Sequence, residues 1–373
     1  MNIYFFAPEL RSYFEPSPTM SPRDDISYIV ALASELAKID DVAASIIFWE
    51  GSVSNLHHKN LHFCLVPQMI DRGVPIVSRF INQHRLNSVQ KTKGSSFVFW
   101  MDINEAYRAR SIANLLKASS VYIPPAHSPF NSASPESADG KIFCDKLKLA
   151  DLIIVSSPCQ LDLLPSVPSM GSLIIPLGVS AAQCTNKPSA TSHILWTGVI
   201  EESAQPWHIF DLSHQNPEER FVMFGYPRES NLRNSQFYQY VLRRSSEIPN
   251  LTFIDTKVSE DRIREIFSNT KLLVDTSDCE TFSFNQLVAM AHGAPVISHL
   301  RNFAKDDPMS KFVQTANGNT LDLNSIFESL IKDGARRLAL RHQAKSWTEE
   351  HASISDSACR LVELLSRRQG EDR

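Results

Sequence analysis

Short apolar runs alternate with helix-like segments along this chain, and the alternation occurs in two blocks. The segment AAQCTNKPSATS (Ala181–Ser192) lies between the blocks, is rich in small and polar residues and contains a proline, which is typical of a linker. Strands that alternate with helices form parallel sheets that helices cover on both faces. The sequence therefore predicts an α/β protein with two doubly wound, Rossmann-like domains.

The strands are predicted from short apolar runs that are rich in β-branched and aromatic residues. In the first block they are Asn2–Ala7, Ala44–Trp49, Phe63–Val66, Ser96–Trp100, Ser120–Ile123, Leu152–Ser156 and Leu173–Ile175. In the second block they are His193–Gly198, Phe221–Gly225, Leu251–Thr256, Lys271–Thr276 and Pro295–Leu300.

Helices are predicted where apolar residues recur at helical spacing. Ile26–Ile39 and Asp102–Leu116 show this spacing, and Asp102 is placed to cap the second helix. The tail from Ala335 to Arg368 is also predicted to be helical, with a break near Trp347. The predicted organisation is an N-terminal domain over 1–180, a second domain over 181–345 and a C-terminal helix over 346–373.

The bulk composition limits the function classes. The 373 residues suit two domains, and the formal net charge of −4 argues against a nucleic-acid binder, which usually carries a basic face. The start, MNIYFFAPELR, has no basic flank before its apolar run and predicts a buried strand rather than a signal peptide. The scattered cysteines, without a CxxC pair, indicate a reducing compartment, so we expect a cytoplasmic protein.

The segment DCETFSFNQLVAMAHGAPVIS (Asp278–Ser298) predicts a binding site in the second block. It follows the strand KLLVDT and contains a predicted helix, Asn285–His292. The amides from Phe282 to Asn285 begin this helix, where they lack intrahelical partners and carry about half a positive charge, which suits a phosphate. Glu280 precedes them, and its carboxylate can accept hydrogen bonds from vicinal hydroxyls. A diphosphate and a polyol together describe a nucleotide-activated sugar.

These residues resemble a known family. ETFSFNQLVAMAHGAPVIS is similar to the donor-site signature of the retaining GT-B glycosyltransferases, specifically glycosyltransferase family four, and PLGVS, ADLIIVSS and the closing AKSWTEEHASISDSACRLVELL resemble further family segments. The resemblance covers the chain from about Leu115 onward. It implies the GT-B fold, in which two Rossmann-like domains face each other across a cleft and the C-terminal helices cross back to the first domain.

The resemblance also implies an activity: transfer of a sugar from a nucleotide-sugar donor, with retention, to a glycan, a lipid-linked or a small-molecule acceptor. The N-terminal domain would then hold the acceptor and the second domain the donor. No D-x-D motif occurs in the chain, so we expect a metal-independent enzyme with no cofactor besides the nucleotide sugar. Peripheral membrane contact is compatible with a lipid-linked acceptor, and the oligomeric state stays open.

The family pattern assigns roles residue by residue. Glu280 and His127 would be the catalytic residues beside the transferred sugar. The amides of Phe282, Ser283 and Phe284 would hold the diphosphate. The remaining donor-binding candidates are Asn285 at the helix start, Gly198 at the end of a strand, the backbone at Lys257 and Val258 near the base, and Arg228.

The sequence departs from the family pattern at the donor site. Val199 and Ala204 stand where the family has an arginine and a lysine, and Val288 stands where it has a second glutamate. Each charge-assisted hydrogen bond is worth about 1.5–3 kcal/mol, so the loss of two cations would cost about 3–6 kcal/mol. Arg228 is the best placed replacement, with Lys257 behind it.

Other interpretations stay open. The chain could be an inactive family member that binds a sugar nucleotide or stabilises a partner, or a sugar-nucleotide epimerase of the same architecture. At the level of residues, the plainer interpretations make Glu280 a charge near a helix start, His127 a histidine of a turn-rich loop and Arg228 a solvated loop charge.

Overall fold

The computed structural model describes residues 1–6, 24–48, 61–65, 95–124, 137–162, 164, 171–180, 192–227, 233–256, 258–277, 282–299 and 311–371. The chain divides into two compact units. The first consists mainly of Ile29–Pro176 together with Ile354–Arg373, and the second mainly of Leu177–Ser353.

The first unit contains a seven-stranded parallel sheet with the strand order β3-β2-β1-β4-β5-β6-β7. Strands β1, β2, β4 and β6 are almost entirely buried because both faces of the sheet are covered, as is usual for parallel sheets. The strands are β1 (Asn2–Phe6), β2 (Ala43–Phe48), β3 (His62–Leu65), β4 (Ser96–Trp100), β5 (Ser119–Tyr122), β6 (Leu152–Val155) and β7 (Gly171–Ile174).

The second unit contains a six-stranded parallel sheet with the order β10-β9-β8-β11-β12-β13. All its neighbouring strands are parallel, so their carboxyl ends share one edge of the sheet, which is where open α/β sheets bind ligands. The strands are β8 (His193–Val199), β9 (Phe221–Tyr226), β10 (Leu251–Ile254), β11 (Thr270–Asp275), β12 (Val296–Ser298) and β13 (Val313–Thr315).

Helices connect the strands in both units. In chain order the α-helices are α1 (Asp24–Leu36), α2 (Ala106–Leu116), α3 (Ala138–Leu147), α4 (Pro158–Asp162), α5 (Trp207–Gln215), α6 (Gln236–Ser246), α7 (Glu260–Ser268), α8 (Phe284–Ala291), α9 (Thr320–Lys332), α10 (Gly334–His351) and α11 (Ile354–Glu371). None of the described helices combines the length and the apolar composition that crossing a membrane would require.

The predicted class is confirmed: the protein is α/β, with two doubly wound parallel sheets. Where the predicted strand ends fall on described residues, they differ from the observed ones by at most two positions. The cap at Asp102 is also confirmed, since its Oδ1 accepts a hydrogen bond of 2.8 Å from the Asn104 amide and a 3₁₀ turn leads into α2. The three-residue strand β13 was not predicted, because such a short run has no detectable alternation.

The predicted helix break near Trp347 is wrong. Helix α10 continues to His351, whose ring stacks on that of Trp347 with 5.5 Å between the centroids. The break lies at Ala352 and Ser353, where the backbone leaves the helix and the Ala352 carbonyl accepts a hydrogen bond of 2.8 Å from the Val179 amide. A contact with a distant residue therefore sets the end of α10, and no residue near Trp347 could indicate it.

Two indole groups help to fix the sheets. Trp100 and Trp196 are both about 1% exposed, and each donates its ring N–H to a hydroxyl on another strand or just beyond it. Trp100 bonds to Ser120 at 2.9 Å and Trp196 to Thr276 at 2.8 Å. Buried indoles need such a partner, and the second pair joins β8 to the residue that follows β11. Trp196 and Phe210 are thus core residues of the second unit, with Trp207 packed against the same cluster.

Candidate functional site

The connection from β11 to α8 forms the centre of the candidate site. Strand β11 is buried and ends at Asp275, which is 7% exposed. Thr276 and Ser277 follow it, and Phe282 and Ser283 lead into α8. This connection follows the end of β11, so it lies at the carboxyl edge of the sheet, where a ligand site is expected. Strand β11 is an inner strand, between β8 and β12.

The carboxylate of Asp275 holds the two sides of this connection together. Its Oδ1 accepts hydrogen bonds from the amide and the hydroxyl of Ser277, at 3.0 and 2.5 Å. Its Oδ2 accepts one from the side-chain amide of Gln286 at 2.5 Å and a longer one from the Ser283 hydroxyl at 3.4 Å. The amide of Gln286 also donates to the Ser298 hydroxyl at 3.1 Å. A buried carboxylate needs several donors, and here they fix the start of α8.

Ser283 caps the N-terminus of α8. Its backbone is extended (φ −92°, ψ 154°), and its hydroxyl accepts a hydrogen bond of 3.2 Å from the Gln286 amide. Phe282, Ser283, Phe284 and Asn285 are all less than 9% exposed, so the two phenylalanine side chains belong to the interior. The helix start can therefore contact a ligand chiefly through main-chain N–H groups, which carry the positive end of the helix dipole.

The end of β8 lies beside this helix start in the sheet order. Gly198 on β8 pairs with Gly225 on β9. A Cβ at Gly225 would lie 2.6 Å from the Gly198 carbonyl oxygen and 2.9 Å from the Trp196 ring, so the two backbones approach closely and Gly225 cannot be replaced without a shift. A Cβ at Gly198 would meet only the Trp196 ring, at 3.6 Å.

The loop after β8 is tied to the same edge. The Thr276 hydroxyl, which accepts from Trp196, donates a hydrogen bond of 2.6 Å to the Ala204 carbonyl. Val199 and Ala204 are 9% and 6% exposed. The two positions where the resembled family has cations are therefore aliphatic and buried.

A pair of histidines also lies at this edge. His208, in the first turn of α5, and His299, directly after β12, have ring centroids 5.0 Å apart in an edge-to-face arrangement. His208 and His299 are 8% and 3% exposed. Burial is the largest cause that lowers the pKa of His208 below its usual value, and His299 lowers it further, while Asp211 acts in the opposite direction. His208 is therefore neutral near pH 7.

The structure brings some of the predicted site residues together. Phe282, Ser283, Phe284 and Asn285 form the start of α8, and Gly198 lies on the neighbouring strand β8. The half-buried Val258 lies after β10, the outermost strand of the same sheet, and before α7. The predicted residues Glu280, His127, Lys257 and Arg228 lie outside the described residues, and their roles stay predictions.

Sequence reasoning missed the residues that hold the site: Asp275, Thr276, Gln286 and the histidine pair. One local pattern was available, since Ser283-x-x-Gln286 matches a capping pattern. The contact between His208 and His299 joins residues far apart in the chain and leaves no local pattern. Within the described ranges, no cluster of three or more His, Cys, Asp or Glu side chains is arranged to hold a metal ion.

Comparisons with known proteins show similarity in structure only. No protein-family profile matches the chain, and no curated protein matches its sequence. A sucrose-phosphate synthase from Thermosynechococcus elongatus superposes with a TM-score of 0.75 at 13% identity, over 100% of both chains. HepE from Anabaena, solved with UDP and glucose, gives 0.71 at 12% identity, over 98% of this chain and 100% of that one. The trehalose-6-phosphate synthase OtsA gives 0.62 at 11% identity, over 98% and 99%.

The fold is that of the GT-B glycosyltransferases. The similarity extends over essentially the whole of each chain, including the first hundred residues, where the sequence matches the family only in general pattern. At these identities it shows the fold, and the chemistry has to be argued from the residues of this chain.

Proposed function

We propose that this protein is a glycosyltransferase that moves a sugar from a nucleotide-sugar donor to a glycan, a lipid-linked or a small-molecule acceptor, with retention at the anomeric carbon. The observation that carries the proposal is the start of α8: a capped helix N-terminus at the carboxyl end of β11, fixed by the Asp275 network. HepE, which has the same fold, has been solved with UDP-glucose. The signature resembling glycosyltransferase family four supports retention.

The chemistry of sugar transfer suits this arrangement. The barrier arises as the bond between the sugar and the diphosphate breaks and negative charge develops on the leaving oxygens. Main-chain N–H groups held in place before the reaction stabilise such charge without reorganising. The helix end contributes about 0.3–1 kcal/mol in exposed sites and up to about 2 kcal/mol where it is partly buried. The burial of Ser283 and Asn285 places this helix end in the stronger range.

The remaining roles follow from the resemblance. In this proposal Glu280 contacts the donor hydroxyls, His127 lies near the transferred sugar, and the backbone at Lys257 and Val258 faces the base. Arg228 supplies charge that Val199 and Ala204 cannot. The donor binds to the second domain and the acceptor to the N-terminal domain. The reaction uses no metal ion or further cofactor and takes place in the cytoplasm, with peripheral membrane contact where the acceptor is lipid-linked.

A second candidate is a catalytically inactive protein that binds a sugar nucleotide or stabilises a partner. The burial of aliphatic Val199 and Ala204 favours it, because those positions hold no cation for the leaving diphosphate. Binding of the donor requires less charge stabilisation than cleavage does, so a site with reduced charge could retain affinity after losing turnover.

One experiment separates the two candidates. The purified protein is mixed with a panel of nucleotide sugars and acceptors, while donor binding and release of free nucleotide are measured in parallel. We expect binding and nucleotide release for one donor, with Glu280→Ala abolishing release and the neighbouring Cys279→Ala leaving it unchanged. Binding without release for every pair would support the inactive protein, and no binding of any donor would refute both the glycosyltransferase and the sugar-nucleotide-binding form of the second candidate.

A further inference from the structure

The histidine pair is connected to the start of α8 by a closed set of contacts at the carboxyl edge of three adjacent strands. The His299 amide donates to the Asp275 carbonyl at 2.9 Å, and the Asp275 carboxylate bonds to the capping hydroxyl of Ser283. On the other side, Thr276 bonds to the Ala204 carbonyl, and α5 with His208 begins shortly after Ala204. The contact between His208 and His299 closes the set.

His208 has an unused polar atom in this buried position. Its Nε2 lies 3.1 Å from the side-chain oxygen of Gln205, which favours a proton on Nε2. Its Nδ1 is buried without a hydrogen-bond partner among the described residues. Buried polar atoms normally have a partner, and an exception calls for an explanation such as a missing ligand. An anion would supply one, because Nδ1 becomes a donor once the ring is protonated.

Three of the described segments at this edge contain no side-chain cation. No lysine or arginine occurs in residues 199–204, 276–277 or 282–286. The loop before α5 carries the carboxylates of Glu201 and Glu202, of which Glu201 accepts a hydrogen bond from Ser203. A diphosphate at the start of α8 therefore needs a positive group close by.

The charged and titratable neighbours of His208 are few within the described part of the chain. They are His299 after β12 and Asp211 one turn further along α5. Helix α6 contacts α5 through the aromatic rings of Phe237 and Tyr240. None of these neighbours is a lysine or an arginine that would compete for a bound anion.

We propose that His208 and His299 add positive charge to the diphosphate subsite, beside the charge expected from Arg228, and that His208 takes up a proton when a nucleoside-diphosphate sugar binds. The inference rests on the proposed function and specifies how the donor site neutralises charge. The imidazole takes the proton from solvent, and no covalent bond forms or breaks. In the free protein the buried ring is neutral, and the dianionic diphosphate stabilises the protonated form.

The direction of the pH effect follows from linkage. A ligand that raises the pKa of a histidine binds more tightly as the pH falls, within the window between the pKa of the bound protein and that of the free protein. The affinity then changes by at most tenfold per pH unit for one proton. A nucleotide sugar is a suitable probe because both of its phosphates are diesters and do not titrate near neutral pH.

The test is calorimetry with UDP-glucose, and with each other nucleotide sugar in the panel that binds, between pH 6 and pH 8. Titrations in two buffers of different ionisation enthalpy give the number of protons taken up. We expect an uptake approaching one proton and an affinity that rises by up to about tenfold per unit as the pH falls. Binding without proton uptake at any pH in this range would overturn the inference and leave the proposed function standing.

Substitutions of single histidines identify the residue that takes up the proton. His208→Gln keeps a hydrogen-bonding side chain without the charge, and His214→Gln is a matched control at the exposed end of the same helix. We expect His208→Gln to abolish proton uptake and to weaken binding about 10- to 100-fold, the value of a charge-assisted hydrogen bond. The control should match the wild type, and His299→Gln should also weaken binding.

If His208→Gln binds with unchanged affinity and proton uptake, the assignment is wrong. If His208→Gln fails to fold, as circular dichroism would show, the inference is tested by the affinity of His299→Gln and by the number of protons that the wild-type protein takes up. If the wild-type protein binds no nucleotide sugar at any pH, the inference and the proposed function both fail, which distinguishes that outcome from binding without proton uptake.

Discussion

Two connections from a strand to a helix, one in each unit, are built on the same local pattern. In the first unit β6 leads into α4 through Ser157-x-x-Gln160, and in the second β11 leads into α8 through Ser283-x-x-Gln286. In both, the serine hydroxyl accepts a hydrogen bond from the glutamine amide N–H, at 3.2 Å. Both glutamine side chains are buried, at 2% and 1% exposure.

The two glutamine side chains then differ in their use. The oxygen of Gln160 accepts from the amide and the hydroxyl of Ser156, at 2.8 and 3.1 Å, and its nitrogen donates to the Pro124 carbonyl. The nitrogen of Gln286 donates to the Asp275 carboxylate and to Ser298, and its oxygen is buried without a partner among the described residues.

The first connection is thus neutral and fully bonded, whereas the second is organised around a buried carboxylate. The same capping pattern therefore fixes the helix start in both units without determining what the site contains. The charge comes from the last residue of the strand, Asp275, and the Gln286 side-chain oxygen beside it has no hydrogen-bond partner among the residues that the structure describes. A stable scaffold would not require this arrangement, which is consistent with a functional role at this edge.

The largest expected effect comes from adding a carboxylate to each connection. In Gln286→Glu the new carboxylate would face that of Asp275 at hydrogen-bonding distance in a buried site, so we expect a loss of about 3–5 kcal/mol in the free energy of unfolding. In Gln160→Glu the new carboxylate can still accept from Ser156, so we expect only about 1–3 kcal/mol. Urea denaturation measures both values.

The pH dependence of the stability loss in Gln286→Glu tests whether repulsion between the two carboxylates causes it. Two carboxylates that share a site titrate apart, and one stays protonated at low pH. The deficit of Gln286→Glu should therefore shrink as the pH falls from 8 to 5. Equal losses for the two variants would show that the difference between the connections has no energetic consequence.

The second effect extends the comparison from the two connections to the two units. Among the described residues, the histidines whose pKa is lowered all belong to the second unit. Burial is the largest cause that lowers the pKa of His193 and of His292, to about 4 in both. Nearby cations lower each pKa further: Arg220 and Arg262 act on His193, and Lys345 and Arg264 act on His292.

The sign of the effect on stability follows from these values. The unfolded chain protonates histidine near pH 6.5, whereas the folded one does so only near pH 4, so stability is full above 6.5 and falls as the pH is lowered towards 4. Between pH 6.5 and pH 5 we expect a loss of about 1.5 kcal/mol for each histidine. Hydrogen exchange resolved by peptide should show lower protection in the second unit. Equal losses in both units would contradict this prediction.

How far the sequence predicts this molecule depends on whether the determining contacts are local. Both sheets and the start of α8 were predicted because apolar runs and a helix cap are short-range patterns. The network around Asp275 was not, because Gln286 and Ser298 reach it only after the chain has folded back. The His208–His299 contact was missed for the same reason, and so was the end of α10, which depends on Val179.

The smallest expected effect tests the shared part of the two connections. Replacing an N-cap serine by alanine costs about 0.5–2 kcal/mol. Ser157→Ala should fall at the low end, because α4 has only five residues and the side chain of Gln160 keeps its other bonds. Ser283→Ala should fall at the high end, because Ser283 is 1% exposed and its hydroxyl also contributes to the Asp275 network. Thermal and urea denaturation of the two variants would measure the difference. A larger loss for Ser157→Ala than for Ser283→Ala would mean that the carboxylate network does not depend on the cap, and that Asp275 positions α8 through Gln286 alone.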